Sequence, residues 1–265
     1  MLLLNNLPVK INHFPDGTLL IKEKGFSGEN VITWHYENNE ELIALIFLTR
    51  HLQDCGIENI VLKMPYIPNA RQDRIKGTDD VFTLKYFAEQ INALHFKKVV
   101  VLDPHSFVSE ALIDRIDIWM PRGEISRALN DINRKTNNQD ILMFYPDEGA
   151  MKRYSGMIKN PYCFGIKKRN WETGVIEDLN ISGEIEKIEN ATVLIVDDIC
   201  SKGGTFLHSA RKLKELGAKR VYLYVTHCEN TILEGELINS GLLEGIYTTN
   251  SIFTEHHDLI SVMKF

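Results

Sequence analysis

Residues 191–205, ATVLIVDDICSKGGT, restrict what this chain can fold into more than any other stretch. Val193, Leu194, Ile195 and Val196 form an unbroken apolar run, which suits a strand buried on both faces, as in a parallel sheet. The strand is expected to end in Asp197 and Asp198. A turn then holds Ser201, Lys202, Gly203 and Gly204, and a helix opens at Thr205. Leu207, Ala210, Leu213 and Leu216 recur at helical spacing, Gly217 closes the helix, and residues 221–225 read as the next strand. The result is a strand–helix–strand unit whose polar loop lies at the carboxyl end of a strand, where open α/β sheets bind ligands.

The loop has a definite chemistry. Glycines let backbone N–H groups approach an anion closely, and a helix N-terminus favours negative charge. Thr205 adds a hydroxyl and Lys202 a mobile cation. The adjacent carboxylates can accept hydrogen bonds from sugar hydroxyls or help hold Mg²⁺. Neither G-x-x-x-x-G-K-[ST] nor G-x-G-x-x-G is present at this loop. The acid pair by itself favours an ordinary turn with solvated acids; the glycines and threonine attached to it turn the reading towards a ligand site.

At 265 residues the chain suits one or two domains. Its formal charge of -6, with no long basic block, points away from nucleic acid, so anionic small ligands must be gripped locally. Cys55, Cys163, Cys200 and Cys228 show neither C-x-x-C nor zinc spacing, which suits free thiols in a reducing cytosol. No apolar run reaches membrane-spanning length and the start lacks a signal peptide's basic flank, so a cytoplasmic protein with no membrane partner is expected.

Three further loops carry candidate chemistry. Residues 38–54 read as a helix with Asn38 and Glu41 as a capping pair and Gly56 at its end. A strand at 60–64 follows, then a loop in which Pro65 and Pro68 forbid helix or central strand. There Arg71 and Arg74 bracket Gln72 and Asp73, a set able to grip phosphate bidentately while Gln72 meets a base or ribose; by charge alone the reading is a solvated run. A helix at 82–94 and a strand at 98–102 lead to Asp103-Pro104-His105-Ser106, placing His105 at a strand's carboxyl end. Pro121 and Gly123 break the chain between two domains, 1–121 and 122–265. In the second, a strand at 141–145 runs into Pro146-Asp147-Glu148-Gly149-Ala150. A short strand at 162–166 precedes Lys167, Lys168 and Arg169, and residues 170–190 read as a long polar, irregular connection.

Taken in order, these segments resemble the ribose-phosphate diphosphokinase family. The D-D…G-G-T loop resembles the phosphoribosyl-diphosphate motif of type I phosphoribosyltransferases. P-Y-x-x-x-A-R-Q-D-R at 65–74 closely matches the family's ATP-binding P-Y-x-x-Y-A-R-Q-D-R/K. Phe14-Pro15-Asp16-Gly17-Thr18, a turn by its Pro/Asp/Gly chemistry, resembles F-x-D-G-E, Asp103-Pro104-His105 resembles D-x-H, and residues 146–150 resemble S-P-D-x-G-G. Lys167 to Arg169 stand where the family has K-R-R opening a mobile catalytic loop, and residues 226–227 and 247–251 resemble its T-H and T-N-T segments.

The resemblance implies an α/β protein of two doubly wound parallel-sheet domains of the type I phosphoribosyltransferase kind. The first would lie on the ATP side, and the second would carry the ribose/phosphate loop. It also implies transfer of the β,γ-diphosphate of MgATP to the anomeric hydroxyl of ribose 5-phosphate, with Mg²⁺ as cofactor and a homo-oligomeric enzyme. Phe14, Asp16, Arg71, Gln72 and Arg74 would bind ATP, Phe14 and Asp16 that of a neighbouring subunit. His105 and Asp147 would position the metal, with Lys167, Arg169 and His105 catalytic. Asp197, Asp198, Ser201, Lys202, Gly203, Gly204 and Thr205 would hold ribose and its 5-substituent. Thr18, Pro104 and Ala150 depart mildly from the family's pattern. Ser201 and Lys202 depart more, replacing Asp and Thr of D-D-x-x-D-T-x-G-T, which opens the alternative of a larger acceptor, ADP-ribose, in NAD rebuilding. Typical members carry a further helix beyond the position of Phe265, which bears on oligomeric contacts. A phosphoribosyltransferase needs no ATP segment, and a silent regulatory relative is expected to lose the cations at 167–169.

Overall fold

The computed structural model describes residues 1–24, 28–137, 140–169 and 176–265, with backbone alone for 167–169 and 176–179. The chain divides into two compact units, Met1–Met120 and Pro121–Phe265.

The first unit contains β1 (Leu2–Leu4), β2 (Leu7–Pro8), β3 (Ile11–His13), β4 (Leu19–Ile21), β5 (Asn30–Trp34), α1 (Glu40–Asp54), β6 (Ile60–Met64), α2 (Thr83–Asn92), β7 (Lys98–Leu102), α3 (Val108–Leu112) and β8 (Ile116–Trp119). Its sheet has the order β2-β1-β5-β6-β7-β8, parallel from β5 to β8 and antiparallel at β1 and β2. β3 and β4 form a separate hairpin. Strands β6 and β7 are nearly continuous apolar runs because helices cover the sheet, and Leu62 and Val101 pack with Leu45 and Leu52 of α1 and Leu84 and Ile91 of α2. At the start of α1, Asn38 Oδ1 accepts from the Glu41 N–H at 3.3 Å. The Glu41 carboxylate turns inward and accepts from Trp34 Nε1 and the Glu37 N–H, both at 2.9 Å. Gly56, at φ +81°, ends the helix in the left-handed region that glycine tolerates.

The second unit contains α4 (Arg122–Thr136), β9 (Ile141–Tyr145), α5 (Glu148–Tyr154), β10 (Tyr162–Arg169), β11 (Ile176–Gly183), β12 (Thr192–Cys200), α6 (Gly204–Glu215), β13 (Arg220–Cys228), α7 (Glu236–Asn239), β14 (Gly245–Thr249) and β15 (Ile260–Met263). The sheet order is β11-β10-β9-β12-β13-β14-β15, parallel except for the β10–β11 edge. From β9 the chain steps through α5 to β10 on one side, whereas from β12 it steps through α6 to β13 on the other. The winding therefore reverses between β9 and β12. Helices cover both faces. Phe144, Ile195 and Leu223 pack with Phe206, Ala210 and Leu213 of α6 on one. On the other, Tyr145 stacks on Tyr154 of α5, and the Tyr247 hydroxyl donates to Asp131 of α4 at 2.8 Å. The α/β architecture of parallel-sheet units expected from the sequence is the one that forms. The parallel strands of the first unit run in chain order, so the reversal of winding belongs to the second.

Two expectations need correction. Residues 170–190 are not an irregular connection throughout. β10 continues past Ile166 to Arg169, and β11 pairs back along it, Lys167 opposite Leu179 and Phe164 opposite Ser182. An edge strand with polar residues along it lacks the apolar run that marks a central strand. Nor does β12 stop at the acids, since its pairing with β13 continues through Ile199–His227 and Cys200–Cys228.

Candidate active site

In the second unit the carboxyl ends of β9 and β12 lie side by side, with Ile195 opposite Phe144. They flank the reversal of winding, where a crevice outside the strand ends is the general ligand position of open α/β sheets. β9 delivers Asp147 there. Asp147 is the N-cap of α5, its Oδ1 accepting from the Ala150 N–H at 3.0 Å. β12 delivers Asp197 and Asp198. Consecutive strand residues point to opposite faces, so Asp198 is buried while Asp197 is half-buried. Asp197 Oδ1 accepts from the Asp198 N–H at 2.9 Å, which fixes the carboxylate against its own backbone.

Beyond β12 the loop is held from behind by residues that sequence reasoning did not single out. Gly203, at φ +83°, is the N-cap of α6, and a β-carbon there would meet Leu237 at 2.6 Å. A β-carbon at Gly235 would lie 2.0 Å from the Lys202 carbonyl oxygen. The Ser201 hydroxyl sits 3.2 Å from that of Thr231, which donates to Glu229 at 3.1 Å. Lys202 Nζ pairs with Glu234 at 3.2 Å. The sequence-predicted cradle of Ser201 to Thr205 is therefore a formed turn. Its lysine is drawn towards the 3₁₀ turn Asn230–Glu234, and the first N–H groups of α6 have no acceptor within the helix. No local pattern marks these supports, because they lie some thirty residues away in sequence.

In the first unit, β6 and β7 are neighbours with Met64 opposite Val101, so the loops that follow both leave from one sheet edge. They are joined by a side-chain bridge: Ser106 Oγ donates to Asp73 Oδ2 at 2.7 Å. Arg74 embraces the same carboxylate through Nε at 2.7 Å and Nη2 at 2.9 Å. Arg71, Gln72, Arg74 and His105 are exposed around a buried Ser106. The structure thus brings the Arg71–Arg74 segment and His105 together. Phe14 and Asp16 belong instead to the β3–β4 hairpin, where Asp16 Oδ1 accepts from the Thr18 N–H at 3.0 Å and hydroxyl at 2.7 Å. Lys167 and Arg169 are placed as β10 backbone, and their side chains lie outside the described residues, as do residues 170–175.

Hydrogen bonds from Arg74 and Ser106, against a smaller opposing cost of burial, hold the Asp73 carboxyl down to about 2. A carboxylate depressed in the folded state stabilises above its ordinary value near 3.8, and that stability is lost as pH falls towards about 2. Because Arg74 is largely exposed, the contribution is about 1 kcal/mol. Asp73→Asn is expected to unfold in urea with about that deficit near pH 7, the deficit shrinking as pH falls from about 4 towards 2.

Among the described residues no three His, Cys, Asp or Glu side chains form a metal cage. The donor set still fits Mg²⁺, which takes one or two carboxylates together with phosphates and water. Asp147, just beyond β9, and the acid pair of β12 offer one or two such carboxylates.

A model of the phosphoribosyl transferase domain matches residues 123–235, the span that holds Asp147, the acid pair and the 201–205 loop. That match and the doubly wound sheet define the second unit as a phosphoribosyltransferase-type domain. The ribose-phosphate pyrophosphokinase of Sulfolobus acidocaldarius is 30% identical over 257 residues, covering 92% of this chain and 85% of that protein. The enzyme of the same name from Bacillus caldolyticus is 30% identical over 253 residues, covering 91% and 77%. The crystal structure of phosphoribosylpyrophosphate synthetase from Mycobacterium smegmatis shares the fold, with a TM-score of 0.79 at 19% identity over 97% of this chain and 86% of that one. The chain belongs to the ribose-phosphate pyrophosphokinase family and is an enzyme of the transferase class. None of its described helices is long and apolar enough to cross a membrane.

Proposed function

We propose that this enzyme transfers the β,γ-diphosphate of MgATP to the anomeric hydroxyl of ribose 5-phosphate, giving PRPP and AMP. The observation that carries this reading is the 65–74 segment. A phosphoribosyltransferase has no use for it, and here it is seated on a sheet edge and tied to the His105 turn. The anomeric oxygen forms a bond to the β-phosphorus, the bond from that phosphorus to the α–β bridging oxygen breaks, and the hydroxyl proton passes to solvent. Such a transfer depends on in-line positioning and on cations at the charged oxygens.

Arg71, Gln72 and Arg74 hold the nucleotide, with Phe14 and Asp16 of a neighbouring subunit at its base in a homo-oligomer. Asp197 and Asp198 orient the ribose hydroxyls, and residues 201–205 hold the 5-substituent. Lys167 and Arg169 meet charge that develops during transfer. His105 on the first unit and Asp147 on the second are the candidate metal-positioning residues, and Mg²⁺ bound with the substrate phosphates would neutralise the diphosphate oxygens.

A second acceptor, ADP-ribose, is favoured by one observation: Ser201 and Lys202 replace the Asp and Thr of the family's loop, and Lys202 sits at its exposed rim beside Glu234. This leaves a cradle of backbone N–H groups that suits a diphosphate continuing to a nucleoside, in keeping with a role in NAD rebuilding. Incubation with MgATP and each acceptor separately, with AMP measured, distinguishes the two. AMP with ribose 5-phosphate alone supports the first acceptor, AMP with ADP-ribose alone supports the second, and AMP with neither rejects the reaction.

A further inference from the structure

We infer that Asp73 and Ser106 are positioning residues, a latch that fixes the Arg71–Arg74 loop and the His105 turn as one nucleotide-facing surface; the inference rests on the ATP-side reading above. The two loops leave adjacent strands and lie 33 residues apart in sequence, and Ser106 Oγ to Asp73 Oδ2 at 2.7 Å is a side-chain bridge between them. Both partners are pinned on their own sides. Ser106 Oγ also accepts from the Val108 N–H at 3.1 Å, and its carbonyl accepts from Ser109 Oγ at 2.7 Å, so the hydroxyl is anchored to the first turn of α3. On the other loop, the Leu84 N–H of α2 donates to the Gln72 carbonyl at 3.3 Å.

Burial separates the latch from the groups it serves. Ser106 is 7% exposed, and the Asp73 side chain is 11% exposed against 65% for Arg74. The Asp73 carboxylate therefore faces inward to the serine while it holds the Arg74 guanidinium from one side, leaving the outer side of that cation towards solvent. Each loop also contains a non-glycine residue in the left-handed region, Asn69 at φ +63° and Asp103 at φ +42°. Backbones of that kind persist where surrounding contacts over-determine them. A charge-assisted hydrogen bond from a serine already fixed by two further bonds is such a contact.

The test compares Ser106→Ala, Ser106→Thr, Asp73→Asn and the Ser106→Ala/Asp73→Asn double variant. Each single removal is expected to raise KM for MgATP about tenfold, the order expected when a charge-assisted hydrogen bond is lost, with KM for the sugar acceptor unchanged. Ser106→Thr, which keeps the hydroxyl, is expected to stay close to wild type. The double variant should be no worse than Asp73→Asn, which disturbs the shared bond together with the Arg74 pairing. Single effects that multiply in the double, or an equal rise in acceptor KM, would overturn the latch. Amide hydrogen exchange reads the same contact without catalysis. Faster exchange in both 69–74 and 103–108 in Ser106→Ala supports the latch, and acceleration confined to one loop overturns it. A wild-type enzyme that forms no AMP with either acceptor rejects the proposed reaction, and the exchange result then decides the latch alone.

Discussion

Lys167→Ala is expected to lower kcat by about a hundred- to a thousandfold while leaving both KM values and the unfolding midpoint nearly unchanged. Diphosphoryl transfer spreads negative charge over the moving phosphate oxygens, and a cation aimed at charge that develops only in the transition state affects turnover rather than binding. The placement of β10 supports this role. Its pairing with β9 ends at Phe164 opposite Tyr145, so Lys167 lies beyond the carboxyl end of β9, on the side where Asp147 follows. Its backbone is paired with that of Leu179. Steady-state kinetics with MgATP and the preferred acceptor, set beside a thermal unfolding curve, checks the result. Near-normal turnover would remove Lys167 from the reaction.

Gly235→Ala is expected to cost about 2–3 kcal/mol of stability and to raise KM for the sugar acceptor about tenfold, with KM for MgATP within about twofold of wild type. Backbone strain is not the cause, because Gly235 sits at φ −84° and ψ 159°, which any residue adopts. The cause is a methyl carbon 2.0 Å from the Lys202 carbonyl oxygen and 2.8 Å from its carbon. A backbone carbonyl cannot rotate away as a flexible side chain would, so the 201–203 turn or the 230–235 turn must shift. Gly203 packs against Leu237 so tightly that the first movement is resisted. Loss of stability with an unchanged acceptor KM would show that the cradle does not depend on this seam.

The elements legible in the sequence share one property: their signal is local. Strands β6, β7 and β9 fall at the residues their apolar runs mark, and Gly56 and Gly217, at φ +81° and +87°, lie just past α1 and α6 as helix-ending glycines do. β11 was hidden because an edge strand need carry no apolar run, and the extension of β12 through Asp197 and Asp198 was hidden because charged residues do not announce a strand. In the candidate site, the residues proposed to carry chemistry were legible as candidates by type and spacing. The residues that hold them were not. Ser106, Thr231, Glu234, Gly235 and Leu237 act on partners 30 to 34 positions away, and nothing beside them in the chain reveals the partner.

The order of amino acids alone determined the apolar strands, the glycine turns and the carboxylates, arginines and histidine that follow strand ends, because periodicity and side-chain chemistry are properties of neighbours in the chain. Tertiary structure decided which strand ends lie side by side. It set β9 against β12 where the winding reverses and β6 against β7 where Asp73 meets Ser106. The physical reason is that pairing between distant strands is selected by the burial of a whole sheet, a quantity that no short segment contains.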